Sequence, residues 1–248
     1  MNRLDVLVLG GGPAGMMAAI AAAENGAAVG LLEPNTRLGK KLNITGKGRC
    51  NLTNNCDVQE LMKNVPQNGR FLYSAFSQYD SQDVMAFFEA LGVPLKTERG
   101  NRVFPASDKS PDIIDALFRE LRRLRVPILQ GRVSSLNCRE GAVQAVEIGE
   151  DKSLTGFSCQ AVILATGGLS YPATGSTGDG LRIAAGLGHT VVEPRPSLVP
   201  LESDDGFCGR MQGLALKNVL LTIRGRKGKI IYREQGELLF THFGLSGP

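Results

Sequence analysis

The 248-residue sequence has no CxxC pair and no cysteine–histidine cluster. Its five cysteines, Cys50, Cys56, Cys138, Cys159 and Cys208, are odd in number. That argues against a disulfide scaffold and against a bound metal, and makes a reducing cytoplasm the simplest compartment. A strong charge of one sign is missing too. The net charge of +4 is what a solvated basic surface gives, and nucleic-acid binding would need the charge gathered into a stripe. Arg119, Arg122, Arg123 and Arg125 do cluster, but on an amphipathic helical pattern, so no nucleic-acid partner is expected. One uncharged run, Val6 to Ala23, is long enough for a membrane span. Gly10-Gly11-Gly12-Pro13 interrupts it, where a continuous helix would break, and no charged n-region precedes it. Neither a signal peptide nor a membrane association is expected. There is no internal repeat and no Walker A loop.

What remains is the pattern of an α/β protein. Leu4–Leu9 reads as a buried parallel strand, residues 13–24 as a helix with proline in its first turn, and residues 27–32 as a second buried strand ending at Glu33. A Gly/Lys/Asn loop follows from Pro34 to Asn55. Helices are expected near 71–78, 83–91 and 112–124, the last with Ser110 as N-cap, and a strand pair around Gly100-Asn101. Strands at 127–130, 132–136 and 143–148 read as a meander. A buried strand at 161–165 and a helix at 179–187 close this part. Prolines 194, 196 and 200 mark a linker, which divides the chain into residues 1–193 and 194–248. The second part alternates like a half-exposed sheet at 219–223, 230–232 and 238–240.

Two glycine segments carry chemistry. Gly10-Gly11-Gly12-Pro13-Ala14-Gly15 fits G-x-G-x-x-G between a strand and a helix. Gly10 permits the tight turn, Gly12 lets the backbone meet a pyrophosphate, and Gly15 lets helix and strand pack closely. The helix N-terminus offers free N–H groups and partial positive charge. Glu33 lies 18 residues past Gly15, where a carboxylate accepts hydrogen bonds from ribose hydroxyls and repels a 2′-phosphate. The second segment, Ala165-Thr166-Gly167-Gly168, ends a strand in small residues that let backbone approach a cofactor. Together the two suggest an FAD-binding Rossmann-like fold, in which Thr166 and Gly167 join the site. The loop from Gly39 to Asn54 sets Lys40, Lys41, Lys47 and Arg49 among glycines and amides, which suits a phosphate or flavin edge. Cys50 in this loop reads as a packed residue. The other reading is a redox thiol whose pKa Lys47 and Arg49 would lower.

These segments resemble a known family. The run Asp5 to Gly15 is similar to flavoproteins of the glutathione-reductase-like superfamily. The Gly46–Asn54 loop, Gly167 to Pro172, Thr174 to Gly180 and Thr241 to Pro248 resemble bacterial NAD(P)/FAD-dependent oxidoreductases described as aminoacetone-oxidase-like or BaiN-like. The resemblance covers essentially the whole chain. It implies FAD contacts at Gly12, Ala14, Glu33, Lys40, Lys41 and Gly46, with backbone near Val133 facing the adenine. Gly10, Gly15, Gly48, Arg49, Cys50 and Asn51 complete the expected cofactor site, and no catalytic residue transfers. It also implies that the chain is the N-terminal portion of a longer member and stops inside an inserted β-rich substrate domain. Leu238, Leu239 and Phe240 are then expected at an open edge, and the chain alone as a poor or non-catalytic FAD binder. The implied activity is flavin-dependent oxidation or reduction of a small organic substrate. NAD(P)H would be a transient reductant, because no second strand-G-x-G-x-x-G occurs. An RNA-modifying flavoprotein is the alternative. His189 and His242 are the only histidines, and Tyr171 is the better candidate to lie near the flavin ring.

Overall fold

The computed structural model describes residues 4–139, 142–148, 154–157 and 159–247. They form two compact units, divided after Val192.

In the first unit β1 (Leu4–Leu9) leads through α1 (Pro13–Glu24) to β2 (Val29–Glu33). An excursion follows: β3 (Thr53–Asn54), α2 (Val58–Lys63), α3 (Gly69–Gln78), α4 (Ser81–Ala90), β4 (Leu95–Glu98) and β5 (Arg102–Pro105). Then come α5 (Ser110–Arg123), β6 (Ile128–Gln130), an antiparallel meander of β7 (Val133–Arg139), β8 (Ala142–Ile148) and β9 (Leu154–Phe157), and finally β10 (Cys159–Leu164) and α6 (Asp179–Gly186). The main sheet is parallel, in the order β10-β1-β2-β6. Strand β6 was expected in the meander. Its three residues pair with β2 instead, because Leu31 and Leu32 present a parallel edge to it.

The alternation of β1 builds a core on each sheet face. Val8 and Leu31 pack with Met16, Ala19 and Ile20 of α1 and with Ile113, Leu117 and Leu121 of α5. Leu7, Leu9 and Leu32 pack on the opposite face with Val133 and Ile183. Each of these side chains is nearly or fully buried, and apart from Ala19 each is worth about 1.5–3 kcal/mol in transfer free energy. Helix α5 buries Ile113, Ala116, Leu117 and Leu121, one apolar stripe at helical spacing. Its N-cap is Lys109, not Ser110. The Ser110 hydroxyl donates instead to the Asn43 carbonyl (2.8 Å), tying α5 to the loop after β2.

The second unit contains β11 (Leu201–Glu202), α7 (Phe207–Arg210), β12 (Ala215–Arg224), β13 (Ile230–Thr241) and β14 (Gly244–Ser246). They form an antiparallel sheet in the order β11-β14-β13-β12. The segments expected at 230–232 and 238–240 are one strand. Its end is not an open edge: Leu239 pairs with Ala215 on one side and Ser246 on the other, and Phe240 is buried. Pro248, the end of the last resembling segment, lies outside the described residues. Among the described residues no helix is long and apolar enough to cross a membrane, and no three His, Cys, Asp or Glu residues group as metal ligands.

Candidate functional site

Strand β1 has β2 on one side and β10 on the other, so the connections leaving their C-terminal ends diverge. Such a switch point is where open α/β sheets bind ligands. The glycine segment sits there. Gly10 adopts φ +108°, and its missing Cβ admits the Ala165 carbonyl at the end of β10. A Cβ on Gly15 would overlap the Gly10 carbonyl oxygen, so the closeness of α1 to β1 requires glycine. Gly12 differs. It has ordinary φ/ψ of −73° and 179°, and a Cβ there would meet nothing within 4 Å.

Gly12 is also the N-cap of α1, and no side chain caps that helix. Pro13 has no N–H, and the Met16 N–H bonds to the Gly12 carbonyl (2.9 Å). The N–H groups of Ala14 and Gly15 are the orphan donors of the first turn, facing the open surface at Gly12. Beside them Glu33 is buried. Its Oε2 accepts from the Gly11 N–H (2.6 Å), and Oε1 accepts from the Asn35 N–H (2.8 Å) and side-chain amide (2.6 Å). A carboxylate has about four acceptor sites, so capacity remains for a hydroxyl. The Gly131 N–H donates to the Glu33 carbonyl (3.1 Å), which brings the β6–β7 link and buried Val133 next to this acid. Residues 10–15, Glu33, the 131–133 backbone and 165–167 therefore meet at the strand ends. An uncapped helix N-terminus, a glycine with free space before it and an adjacent acid suit the pyrophosphate and ribose of a dinucleotide.

The loop after β2 divides its residues between two tasks. Lys40 Nζ donates to the Ala173 carbonyl (2.7 Å) and Lys41 Nζ to Ser176 Oγ (2.6 Å). Asn35 adds a bond to the Thr174 carbonyl (3.3 Å), so three side chains hold the segment after β10 against the end of β2. The Thr166 side chain is turned away from this cleft: its Oγ1 accepts from the Gly180 N–H (3.0 Å) and caps α6. Gly167, at φ +76°, leaves room for Ser176.

The residues from Gly46 to Asn51 pack against the β3-β5-β4 sheet. A Cβ on Gly46 would lie 2.8 Å from the Asn51 nitrogen, and Gly48 faces open space. Oriented with its nitrogen toward them, the Asn51 amide donates to the Thr53 (3.1 Å) and Val103 (3.3 Å) carbonyls, which its oxygen could not bond. Arg49 stacks on Phe104 (4.0 Å) and pairs with Glu98 (3.0 Å) and Asp108 (3.2 Å), which Lys96 also grips. Lys96 and Arg49 hold Asp108 below its ordinary pKa. Desolvation pushes Glu98 up, but bonds from the same two cations outweigh it and the net shift is downward. The Arg49 side chain thus answers two carboxylates, not a phosphate. Cys50 is fully buried at φ +60°, and burial raises its pKa despite a bond with Thr45. The neighbouring cations do not lower it, and the geometry is that of a packed thiol. Tyr171 is exposed in a left-handed turn, its carbonyl accepting from the Thr174 hydroxyl (2.7 Å) and N–H (2.9 Å). His189 is exposed, and His242 stacks edge-on against Phe243 in the second unit.

A family model described as HI0933-like protein Rossmann domain matches residues 4–242. The chain is 33% identical over 250 aligned positions to a 3-dehydro-bile acid delta(4,6)-reductase of Clostridium scindens, covering all of this chain and 58% of that protein. It is 32% identical over 251 positions to a ribosomal RNA dihydrouridine synthase of Escherichia coli, again over its full length and 60% of that protein. The chain thus spans about three fifths of the length of these curated relatives. Among solved structures, an Escherichia coli quinol fumarate reductase superposes with TM-score 0.56 at 17% identity, over 88% of this chain and 44% of that one. A flavocytochrome c3 fumarate reductase superposes with TM-score 0.54 at 22% identity, over 88% and 47%. At these identities the two superpositions speak to the fold.

Proposed function

This chain belongs to the HI0933-like Rossmann-domain family, and we propose that it binds FAD and forms the nucleotide-binding part of a flavin-dependent oxidoreductase. The observation that carries the reading is the uncapped N-terminus of α1 behind an open Gly12, with buried Glu33 beside it. The Ala14 and Gly15 N–H groups bind the pyrophosphate. Glu33 accepts from the adenosine ribose and, as an anion, disfavours a 2′-phosphate. The Gly131–Val133 backbone borders the adenine. Lys40 and Lys41 hold the Ala173–Ser176 segment at the mouth of the cleft. The flavin supplies the hydride chemistry, and the protein supplies binding, orientation and electrostatics. FAD is preferred to FMN because FMN has no adenosine for Glu33 to hold.

A small organic substrate fits the reductase relative, with NAD(P)H as a transient reductant. The second reading is reduction of an RNA base. The synthase relative suggests it, and one observation on this chain favours it: residues 217–233 hold six cations and no acid. The test is the absorbance spectrum of the purified protein, with release and chromatographic identification of the bound nucleotide. A flavin spectrum with released FAD is expected. A colourless protein that quenches no added FAD fluorescence would sink the reading.

A further inference from the structure

We propose that the β12–β13 hairpin is an RNA-binding ribbon. This rests on the RNA reading above and goes beyond it by naming the surface. From Lys217 to Arg233 the chain carries Lys217, Arg224, Arg226, Lys227, Lys229 and Arg233 and no aspartate or glutamate. That is +6 in 17 residues of a chain whose net charge is +4, so all the other residues together carry −2. Residues 34–56 hold five more cations and no acid, but Lys40, Lys41 and Arg49 of that loop bind groups of the chain itself, so the hairpin is the acid-free stretch that offers the footprint a polyanion needs.

The structure displays this charge instead of neutralising it. All six side chains are exposed, and none forms an ion pair among the described residues. The turn is well formed: the Gly225 N–H donates to the Lys229 carbonyl (2.9 Å), the Gly228 N–H to the Gly225 carbonyl (2.8 Å), and Arg224 to the Gly228 carbonyl (3.1 Å). Arg226, Lys227 and Lys229 consequently stand at its tip. Behind the tip Arg233 pairs across the ribbon with Thr222 on one face, and Tyr232 with Ile223 on the other. Tyr232 and Ile223 are 45% and 37% exposed, which leaves an aromatic ring available for stacking on a base. Leu220, Ile230 and Ile231 are exposed on the hairpin as well; cations for phosphates beside an exposed ring for a base suit RNA, and the vesicle arm of the test below separates it from a lipid surface.

The test uses the whole 248-residue chain and a fluorescein-labelled stem-loop of ribosomal RNA, read by anisotropy across a salt series. The triple variant Arg226→Gln, Lys227→Gln, Lys229→Gln should bind at least tenfold more weakly at low salt. Its log–log salt slope should be shallower by about 2, at roughly 0.7–0.9 for each phosphate no longer neutralised. The triple Arg119→Gln, Arg122→Gln, Arg125→Gln, on α5 and just past its C-terminal end, removes the same charge elsewhere and should stay within twofold. Tyr232→Ser should weaken binding roughly fivefold or more with the slope unchanged, since one stacked base contributes about 1–3 kcal/mol. The proposal is overturned if the tip triple binds within twofold of the parent, or if both triples lose affinity equally. It is also overturned if the chain prefers DNA of the same sequence, or phosphatidylserine vesicles, to the RNA. A variant that keeps FAD while the RNA prediction fails sinks the ribbon alone. A colourless chain that binds RNA through the ribbon sinks the flavin reading alone.

Discussion

Gly12 and Gly15 stand three residues apart in one motif, yet substitution should fail for different reasons at each. At Gly12 the backbone is in a region any residue adopts, and a Cβ meets nothing within 4 Å. Gly12→Val should therefore cost the apoprotein only the difference in N-cap preference, below about 1 kcal/mol, or less than about 4 °C in Tm for a domain of this size. The same side chain stands where the pyrophosphate must meet the Ala14 and Gly15 N–H groups. Losing two hydrogen bonds to a charged group, at about 1.5–3 kcal/mol each, weakens FAD binding by about 3–6 kcal/mol, or 10² to 10⁴ in Kd. At Gly15 a Cβ overlaps the Gly10 carbonyl, so Gly15→Ala must move α1 or β1. Overpacking of that kind costs about 1–3 kcal/mol in the apoprotein, roughly 3–10 °C. Thermal melts without FAD and fluorescence-quench titrations with it measure both quantities. If Gly12→Val lowers the apo Tm more than Gly15→Ala does, or leaves Kd within threefold, the assignment of roles to the two glycines is wrong.

Three further outcomes follow from the site. Glu33→Gln keeps an acceptor for Asn35 but removes the charge; it should weaken FAD binding by about 1.5–3 kcal/mol, and unchanged affinity by titration calorimetry would remove the ribose assignment. Cys50 is fully buried with a raised pKa, whereas Cys138 is exposed; brief maleimide treatment of the native protein should mark Cys138 and spare Cys50, and mass spectrometry showing Cys50 labelled first would restore it as a reactive thiol. Asp108 and Glu98 have lowered pKa values in the folded protein, so what they contribute is complete above the ordinary carboxylate range near pH 4 and disappears as pH falls through their folded values; hydrogen-exchange protection of residues 42–51 and 95–105, corrected for the intrinsic rate at each pH, should hold down to about pH 4 and fall below it, and unchanged protection would show that the Arg49 cluster does not hold the loop.

The parts of the fold that local chemistry decides were legible in the sequence. The β1–α1–β2 unit follows from an apolar run, a glycine turn and an acid at fixed spacing; Gly10 and Gly15 have their reason within a few residues or at one neighbouring strand, and Gly12 only in the ligand proposed for it. The loop from Gly39 to Asn54 was not legible, because what fixes it is distant. Arg49 is claimed by Glu98 and Asp108, 49 and 59 residues away, and Lys41 by Ser176, 135 residues away. A basic residue in a glycine loop reads as a phosphate ligand only while its acidic partners are out of sight. Thr166 was read for its backbone alone, and the bond its side chain accepts from the Gly180 N–H, 14 residues on, left no local mark. The short strand β6 owes its place to β2, and no periodicity can appear in three residues.

The basic hairpin needed no structure to be seen. It was hidden by averaging. A net charge of +4 over 248 residues describes a mildly basic surface only if the charges are mixed, and here six cations fall within 17 residues with no acid among them. The distinction is physical, because at cellular ionic strength exposed charges act together only within a screening length of about 8 Å. Cations scattered over a domain of this size are mutually screened and attract a polyanion weakly. Arg226, Lys227 and Lys229 share one five-residue turn, and Arg224 and Arg233 flank it across the ladder, so most of the excess lies within a few such lengths. The quantity that bears on a nucleic-acid partner is therefore the charge of the hairpin, and by that measure this exposed hairpin is strongly basic.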